Sequence, residues 1–434
     1  MDRKMKLVNT EWIDEIPIEW EIQNIKSLFT FGKGLPITKD NLKESGISVI
    51  SYGQIHSKFN LSYKMAEELF RYVDESYRVT NGNSLVKEGD FIFVDTSEDE
   101  KGCGNFVYIN CDREIFAGYH TIILRSLKMT DCKYFAFLFM SDCWRKQIRE
   151  RVNGVKLFSV TQKNLRMCSL IVPPDIERKR IANFLEAQCD KISELTSTIT
   201  ESIEEYKKLK QAVITQAITK GVRSNRKMKD SGSVWFGNIP FDWDMRKIKF
   251  LFKIKKNIAG EEGHTVLSIT QRGIVPKDIS KNEGQLAESY ANYQLVDPGD
   301  FAMNHMDLLT GWVDVSKYSG VTSPDYRVFS LINDENNYSQ YYLYLMQMCY
   351  TNRIFYGLGQ GVSGLGRWRL QADKFMNFAV VVPPLNEQME IAEYLDSKIS
   401  ELDGLIQKKE EYMGEIENYK KSLIYEYVTG KKRV

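Results

Sequence analysis

Long hydrophobic runs are absent from this 434-residue sequence, and none approaches the roughly 18–20 apolar residues that a membrane-spanning helix needs. The seven cysteines are scattered, odd in number and form no CxxC pair, which excludes a disulfide framework or a zinc site and favours free thiols. An excess of either charge is also missing, since 59 basic residues oppose 58 acidic ones. A uniformly basic nucleic-acid binder is therefore excluded, and a locally basic one is not. The charged N-terminal hexapeptide predicts no signal peptide and a cytoplasmic location.

The motifs of common catalytic and metal sites are missing as well. The sequence contains no GxSxG, no GxxxxGK[ST], no HExxH and no Asn/Asp-Pro-Pro-aromatic turn of an amino-methyltransferase, and its four histidines lack metal-ligand spacing. A GxGxxG match at residues 359–364 follows a helical pattern and not a strand, so we interpret it as a loop. We therefore expect no catalytic residue, no metal and no cofactor bound by this chain, and predict a binding protein.

An internal repeat is the strongest signal that is present. Segments 11–29 and 234–252 share two tryptophans that flank an Ile-Pro pair, and a Gly-Asp-Phe triplet occurs at 89–91 and again at 299–301. A Val-Pro-Pro triplet at 172–174 recurs at 382–384, and each half ends near a glycine. Four matches in the same order indicate a tandem duplication. We interpret the tryptophans as structural and not as base-stacking residues; they are Trp12, Trp20, Trp235 and Trp243.

Each half begins with about 160 residues of mixed character. Runs rich in β-branched and aromatic residues predict short strands, among them 90–94, 121–124, 169–172 and 377–382. Each double proline ends the last strand because proline cannot donate to a ladder, and Asp175 and Asn386 just beyond the prolines predict helix starts.

A seven-residue hydrophobic repeat without proline follows each double proline. This pattern predicts two long helices that pack as a coiled coil, with Gly221 and Gly430 where the helices end. The residues predicted to pack there are Leu185, Ile192, Leu195, Ile199, Tyr206, Leu209, Val213, Leu395, Ile399, Leu402, Ile406, Met413, Ile416, Leu423 and Tyr427.

Chain order restricts how these parts are arranged. The first helix must end where the second domain begins, and the second helix starts from that domain, so helices that pack side by side run antiparallel. The predicted fold class is α+β: two similar α/β globular domains, related by a pseudo-twofold axis and separated by two long helices in an antiparallel coiled coil. Packing of each helix on its own domain alone is the alternative. The expected boundaries are a domain at 1–172, a helix at 173–221, a linker at 222–233, a domain at 234–382, a helix at 383–430 and a basic tail at 431–434.

Basic residues cluster between 203 and 229 and toward the end of the second helix. Such runs are often solvated helix ends, but loops rich in Arg, Gln and aromatic residues favour duplex DNA, because Arg and Lys suit guanine edges and Gln and Asn suit adenine. The candidate DNA-binding residues are Gln54, His56, Lys58, Lys156, Gln162 and Lys163 in the first domain, and Gln271, Arg272, Asn304, His305, Gln360, Arg367 and Arg369 in the second.

Two segments resemble a known family, the specificity subunits of type I restriction–modification systems. Residues 229–243, KDSGSVWFGNIPFDW, resemble the opening of a target-recognition domain, and residues 382–388, VPPLNEQ, resemble the beginning of the conserved helical region. The order of domain, helix, domain, helix extends this resemblance over nearly the whole chain. The first half departs from both motifs, since residues 173–178 lack the usual leucine and glutamine and residues 10–14 lack the Ser-Gly prelude.

The resemblance implies a non-catalytic subunit that recognises a bipartite double-stranded DNA target with an unread spacer. It also implies two modification (methyltransferase) subunits that carry S-adenosylmethionine and methylate adenine, and restriction subunits with nuclease activity as further partners. A cytosolic coiled-coil scaffold without DNA specificity is the alternative. A standalone enzyme, such as a fused restriction–methylation protein, is the third hypothesis.

Overall fold

The computed structural model describes residues 3–127, 132–152, 154, 157–279, 287–333, 335–361 and 368–434. The chain divides into two compact units, the first formed by Met1–Ile199 and Glu411–Val434 and the second by Thr200–Glu410. Each unit contains one globular domain, the beginning of the long helix that follows this domain, and the end of the other long helix. The unit boundaries thus lie within the helices, whereas the sequence prediction placed boundaries at the helix ends. The reason is packing, because the two parts of each helix bury apolar side chains in different cores.

Short strands form most of the first globular domain. Its strands are β1 (Met5–Leu7), β2 (Glu15–Pro17), β3 (Glu21–Asn24), β4 (Phe29–Lys33), β5 (Ile47–Ile50), β6 (Arg71–Val73), β7 (Leu85–Val86), β8 (Phe91–Val94), β9 (Thr96–Ser97), β10 (Phe106–Tyr108), β11 (Ile115–Ala117), β12 (Thr121–Ser126), β13 (Phe158–Ser159) and β14 (Ser169–Val172). Its helices are α1 (Tyr52–Ile55), α2 (Tyr77–Thr80), α3 (Lys133–Met140), α4 (Asp142–Arg149) and α5 (Gln162–Arg166), and the long helix α6 (Asp175–Lys220) follows.

The second globular domain repeats this plan. Its strands are β15 (Met228–Asp230), β16 (Asn238–Pro240), β17 (Asp244–Lys247), β18 (Phe252–Lys255), β19 (Leu267–Thr270), β20 (Gly273–Pro276), β21 (Gln294–Val296), β22 (Phe301–Met303), β23 (Val313–Val315), β24 (Gly320–Thr322), β25 (Arg327–Leu331), β26 (Gln360–Gly361), β27 (Trp368–Arg369) and β28 (Ala379–Val382). Its helices are α7 (Ser339–Thr351), α8 (Ile354–Leu358) and α9 (Ala372–Asn377), and the long helix α10 (Leu385–Val428) follows. The four strands predicted from sequence are confirmed as β8, β12, β14 and β28, and both long helices begin directly after a double proline.

Strand order confirms the duplication. The central sheet of the first unit has the order β10-β8-β12-β4, and that of the second has the equivalent order β23-β22-β25-β18, all antiparallel. In both units the strand before the long helix pairs with an early strand, β14 with β3 and β28 with β17. The first unit has a further sheet, β6-β5-β11-β7, in which β11 runs parallel to β5.

The predicted linker contains regular structure. Strand β15 lies within residues 222–233 and pairs with β16, just as β1 pairs with β2 at the start of the chain. The second repeat therefore begins earlier than the tryptophan motif suggested. Residues 3–6 and 226–229 both read Arg-Lys-Met-Lys, a match that lies outside the tryptophan motif from which the linker was predicted.

Each unit has its own aromatic core, into which both long helices insert. In the first core Phe139 lies 4.3 Å from Trp144 between ring centroids, and Leu185 of α6 and Leu423 of α10 pack against the same cluster. The second core is built in the same way around the strands β18, β22 and β25. There, Ile218 of α6 and Leu395 of α10 contribute from the helices.

The long helices run antiparallel within each unit. In the first, Phe184 of α6 and Tyr427 of α10 are in ring contact at 4.6 Å. In the second, Lys210 of α6 forms an ion pair with Asp403 of α10 at 2.7 Å, one turn from where Lys409 lies over the Tyr206 ring. The predicted packing residues that are buried or half-buried are Leu185, Ile192, Ile199, Tyr206, Val213, Leu395, Ile399, Leu402, Ile406, Met413, Ile416, Leu423 and Tyr427.

Two predicted packing residues of α6 are wrong. Leu195 and Leu209 are 41% and 48% exposed, whereas Ile203 is only 5% exposed. Buried and half-buried positions recur at residues 189, 196, 203, 210 and 217, which together with the first seam alternate in steps of three and four. This second seam includes the polar residues Thr196 and Lys210. A prediction that relied on hydrophobicity alone therefore selected the leucines next to them, Leu195 and Leu209.

A buried carboxylate anchors the start of each long helix to its domain. In the second unit, Glu387 of α10 is fully buried, accepts a hydrogen bond from Trp243 Nε1 at 2.9 Å and forms an ion pair with Arg226. We call these three residues the Glu387 anchor. Asp242 also pairs with Arg226, at 2.7 Å. The hydrogen bond that Arg226 donates to Glu387 is the main cause of the raised pKa of Arg226.

The first unit has the same arrangement at equivalent positions. Glu177 of α6 accepts hydrogen bonds from Trp20 Nε1 at 2.8 Å and from Arg3 at 2.9 Å, and we call these residues the Glu177 anchor. Trp20 and Trp243 are fully buried in their cores. The structural role predicted for these two tryptophans is confirmed, whereas Trp12 is half-buried and Trp235 is 40% exposed.

Glycines end both long helices, as predicted. Gly221 and Gly430 have φ angles of +75° and +74°, in the left-handed region that glycine adopts without strain. A Cβ at Gly221 would lie 2.7 Å from Glu387 Oε1, and one at Gly430 would lie 2.3 Å from Pro17 Cγ. The end of α6 thus lies against the start of α10, and the end of α10 against the start of the first domain, so closely that a side chain would not fit.

Candidate nucleic-acid interface

A cleft opens at the same place in each globular domain, where the central strands end. The first cleft, of about 540 Å³, lies at the ends of β4, β8 and β12 and the strand β13. The second cleft, of about 520 Å³, lies at the equivalent ends of β18, β22 and β25 and the strand β27. Because the strand order is the same, the side chains that line the two clefts can be compared position by position.

The first cleft combines one lysine with an exposed acid–base pair. Lys33 ends β4, and Asp95 follows β8. Asp95 Oδ1 accepts a hydrogen bond from Thr96 Oγ1 at 2.7 Å and lies 3.2 Å from His120 Nδ1. Gln162 at the start of α5 also lines this cleft. The lining therefore offers donors and a carboxylate acceptor.

The second cleft has cations and, within the described part of the chain, no carboxylate in its lining. Lys256 follows β18, Arg327 begins β25 and Arg369 ends β27. His305 occupies the position after β22 that corresponds to Asp95. The lysines Lys33 and Lys256 are equivalent, so the difference between the clefts comes from the remaining positions.

Two basic side chains form the buried floor of the second cleft. His305 and Arg327 are each 5% exposed. Arg327 donates to the Leu370 carbonyl at 2.9 Å and lies over the Phe375 ring. Burial lowers the pKa of Arg327 to about 10, and burial, with the nearby charges of Arg327 and Arg369, lowers the pKa of His305 to about 3. Arg327 is still protonated at neutral pH, whereas His305 is neutral.

The five described candidates of the first domain differ in their positions relative to the first cleft. Gln162 lines the first cleft, although its Nε2 donates to the Gly32 carbonyl at 2.9 Å. His56 Nε2 lies 3.2 Å from the carbonyl of Thr96 and its Nδ1 lies 3.0 Å from Asn105 Nδ2, so both ring nitrogens already have partners.

Three other candidates of the first domain, Gln54, Lys58 and Lys163, lie outside the cleft lining. Gln54 Oε1 caps α1 by accepting from the Ser51 amide at 3.1 Å. Lys58 and Lys163 are exposed, and Lys156 lies outside the described residues. Their contacts with DNA stay predictions.

Two of the seven second-domain candidates, His305 and Arg369, line the second cleft. Gln360 lies opposite Arg369 in the β26–β27 hairpin. Asn304 lines a neighbouring cavity of about 430 Å³ with three tyrosines, Tyr290, Tyr293 and Tyr326.

Three second-domain candidates lie away from the cleft or outside the described residues. Gln271 and Arg272 occupy the turn between β19 and β20 and are exposed. Arg367 lies outside the described residues. The described part of the GxGxxG match follows helix α8 and enters β26, the reverse of the strand-to-helix order of a dinucleotide site.

The basic run after residue 203 is largely occupied by contacts within the protein. Lys207 pairs with Glu204, Lys210 with Asp403 and Arg223 with Glu390. Lys227 lies 4.6 Å from the centre of the Phe241 ring. These contacts favour the interpretation of this run as basic residues near helix ends that pair within the protein, rather than as a DNA-binding segment.

Sequence reasoning missed Lys33, Asp95, His120, Lys256 and Arg327. The repeat contained a signal for some of them. Asp95 and His305 both follow the strand that begins with the Gly-Asp-Phe triplet, and Lys33 and Lys256 both stand four residues after the last phenylalanine of the tryptophan motif. Arg327 corresponds to Ile122 only through strand pairing, because Arg327 pairs with Met303 as Ile122 pairs with Phe93.

A model of the type I restriction modification DNA specificity domain matches the chain twice, at residues 17–205 and 240–412. The chain belongs to this family. The type I restriction enzyme MjaVIII specificity subunit of Methanocaldococcus jannaschii is 26% identical over 82% of this chain and 82% of its own length. A second relative from the same organism is 23% identical over 97% of this chain and 96% of its own length.

A solved chain of similar fold supports the architecture. It comes from a structure that concerns complex assembly and conformational transition of the type I R-M system, with a TM-score of 0.66 and 14% identity over 96% of this chain and 99% of that chain. Type I specificity subunits bind DNA within a complex with other subunits and are not the catalytic members of the system. The predicted family, the duplicated fold and the DNA-specificity role are thus confirmed.

Two further structural findings concern metal sites and membrane-spanning helices. Within the described residues, no cluster of three or more His, Cys, Asp or Glu side chains is placed to hold a metal ion. Among the described helices, none combines the length and apolar character that a membrane crossing requires.

Proposed function

We propose that this specificity subunit reads a bipartite duplex DNA target, one half-site with each unit. The pair of clefts carries the proposal, because they occupy equivalent positions and have similar volumes but different side chains. To read two half-sites of different sequence, two domains can share the same backbone plan but need different side chains in their clefts. Base edges in the major groove are distinguished by donors and acceptors, and polar side chains at the cleft rims supply them.

We propose further that the two long helices determine the number of unread base pairs. Helices α6 and α10 contain 46 and 44 residues, which corresponds to about 66–69 Å each at 1.5 Å per residue. Half-sites one helical turn apart are separated by about 34–36 Å, so a rigid element of fixed length is needed to hold two readers in phase.

The chemistry is proposed to belong to partner subunits. In this proposal the chain binds no cofactor, and two modification subunits that carry S-adenosylmethionine methylate adenine in the half-sites. Restriction subunits with nuclease activity would join the same assembly in the cytoplasm, where the target DNA is found. The net charge of +1 supports this division, because partners would then contribute many of the phosphate contacts.

Methylome sequencing tests the function directly. Cells that produce this chain with a methyltransferase partner are expected to contain methylated adenines in one motif of two half-sites with a constant spacer. Cells with the partner alone are the control and are expected to lack this motif. A scaffold without DNA specificity predicts the same methylome in both strains. Methyl transfer from labelled S-adenosylmethionine by the isolated chain would instead support the standalone enzyme.

A change in helix length tests the spacer. Seven residues, one heptad, are inserted into each long helix where it passes from one unit to the other, after Ile199 and after Glu410. This adds about 10 Å, so the spacer is expected to lengthen by about three base pairs while both half-sites stay the same. An unchanged spacer in an active complex would contradict the proposal. Exchange of residues 1–170 for those of a relative should change one half-site only.

A further inference from the structure

The second cleft differs from the first at four equivalent positions. Arg327 replaces Ile122, Arg369 replaces Ser159, neutral His305 replaces Asp95, and Ala372 replaces Gln162; the lysine at the end of the first strand is retained. These replacements add two guanidinium groups and remove a carboxylate. Among the lining residues that the structure describes, the second cleft is therefore rich in hydrogen-bond donors and has no charged acceptor.

Buried polar atoms without partners lie at the floor of this cleft. Arg327 Nη1 and His305 Nδ1 are both buried and have no hydrogen-bond partner among the described residues. Asp373 acts on Arg327 electrostatically, but no hydrogen bond between them is seen in the described part of the chain. A buried guanidinium with an unsatisfied N–H is costly, and a ligand with acceptor atoms would lower that cost.

Arg369 is placed at the rim on a fixed backbone. The hairpin pairs Arg369 with Gln360, and the neighbouring Leu370 amide donates to the His305 carbonyl at 3.0 Å. The side chain of Arg369 is exposed and has no hydrogen bond or ion pair to another described residue. A guanidinium on a fixed strand with a free side chain is suited to a bidentate contact.

The described lining residues of the second cleft include no carboxylate that would suit other bases. Adenine and cytosine present an amino group in the major groove, which needs an acceptor such as a carboxylate or an amide oxygen. Gln294 also lines this cleft, but its side chain is buried and is held by two hydrogen bonds that its Nε2 donates to the carbonyls of Ser323 and Tyr326 at 2.9 and 2.8 Å. Guanine presents only acceptors, N7 and O6, to a protein in the major groove.

We propose that the second unit recognises guanine in its half-site through Arg369, with Arg327 behind it disfavouring bases that present an amino group. This inference rests on the proposed bipartite reading and adds the base class that one unit selects. The first cleft has Ser159 in place of Arg369 and the carboxylate of Asp95 nearby, so the same preference is not expected there.

The test uses the complex with its methyltransferase partner and a library of duplexes with randomised half-sites. The wild-type motif is expected to contain guanine in one half-site. Arg369→Ala should relax this one guanine position, with about a 5- to 150-fold loss of discrimination, and leave the other half-site and the spacer unchanged. Arg369→Lys should recover only part of the discrimination, because lysine keeps the charge but lacks the planar fork.

Two other variants serve as controls. Arg246→Ala removes an exposed arginine of the same unit, outside the cleft lining, and should leave the motif unchanged. Lys256→Ala should weaken methylation of all sequences about equally, as expected for a phosphate contact.

The outcomes separate this inference from the proposed function. If the wild-type complex shows no bipartite motif, the proposed function fails. If the motif is bipartite but lacks guanine, or if Arg369→Ala weakens all sequences equally, changes both half-sites or has no effect, the guanine inference alone is overturned.

Discussion

The two units share a frame and differ in their clefts. The carboxylate anchors, the helix-ending glycines and the order of the central strands recur at equivalent positions, whereas the cleft linings differ in charge and in hydrogen-bonding groups. Since both linings rest on the same backbone plan, their differences arise from side chains and not from topology. The comparison shows which positions the fold requires and which are left to determine specificity.

The largest expected effect tests the shared frame at the anchors. Glu387→Ala would leave Arg226 and Trp243 Nε1 without their buried partner and should lower the free energy of unfolding by about 3–5 kcal/mol. Glu177→Ala should cost less, about 1–3 kcal/mol, because the Glu177 side chain is 19% exposed and water can replace it. Urea unfolding followed by tryptophan fluorescence measures both values. Equal losses of free energy of unfolding in the two variants would contradict the idea that the deeper burial of Glu387 makes its anchor the more stabilising one.

The next effect concerns the helix seam. Ile203→Ala should lower the free energy of unfolding by about 2–4 kcal/mol, because it removes buried methyl groups between packed helices. Leu209→Ala on the same helix is the matched control and should change it by less than about 0.5 kcal/mol. Thermal denaturation of both variants provides the measurement. If Leu209→Ala lowered the free energy of unfolding more than Ile203→Ala does, the seam predicted from hydrophobicity would be supported instead.

A third prediction concerns the pH dependence of stability, which His305 should give to the second unit and not to the first. The pKa of His305 in the folded state is about 3, below its ordinary value of 6.5, so the unfolded chain binds more protons between these values. The contribution of neutral His305 to the free energy of unfolding is fully present above pH 6.5. It decreases as the pH falls, by about 2 kcal/mol between pH 7 and pH 5. Hydrogen exchange should show the loss in the second unit, and His305→Gln should remove most of it. An identical pH dependence in wild type and variant would contradict the assignment to His305.

The smallest effect is expected in the first cleft. Asp95→Asn weakens the contact with His120, an exposed pair at 3.2 Å, and should change the free energy of unfolding by less than about 1 kcal/mol. Chemical denaturation at low and at high salt measures the change, which should be smaller at high salt because the charges are screened. A loss above 2 kcal/mol would indicate that the first cleft, like the second, depends on a buried polar group.

Much of the fold was predictable because it depends on local patterns and on the repeat. Heptads and double prolines predicted both long helices within a few residues, and Gly221 and Gly430 predicted their ends. The predicted seam was partly wrong because a half-buried position of a coiled coil can hold Thr196 or Lys210, whose polar atoms still reach solvent or a partner. Strand β15 was missed because its residues show no hydrophobic alternation.

The candidate site was less predictable than the fold. His305, Arg369 and Gln162 were selected as polar residues in loops, but their neighbours Lys33, Asp95 and Arg327 come from strand ends far away in the chain. His56 was selected for its chemistry, although both of its ring nitrogens have partners within the protein. Composition indicates which side chains are able to contact a base, and it does not show which of them are already occupied.

By itself the amino-acid sequence determined that this protein is a duplication, that two long helices follow double prolines, and that its family reads DNA. These features are encoded in residue spacing, which is visible along the chain. Only the tertiary structure decided that the beginning of one helix and the end of the other pack into the same unit, and that three cations gather in one cleft and an acid–base pair in the other. Strand register and burial produce these arrangements, because they bring together side chains that are at least 25 residues apart in the sequence.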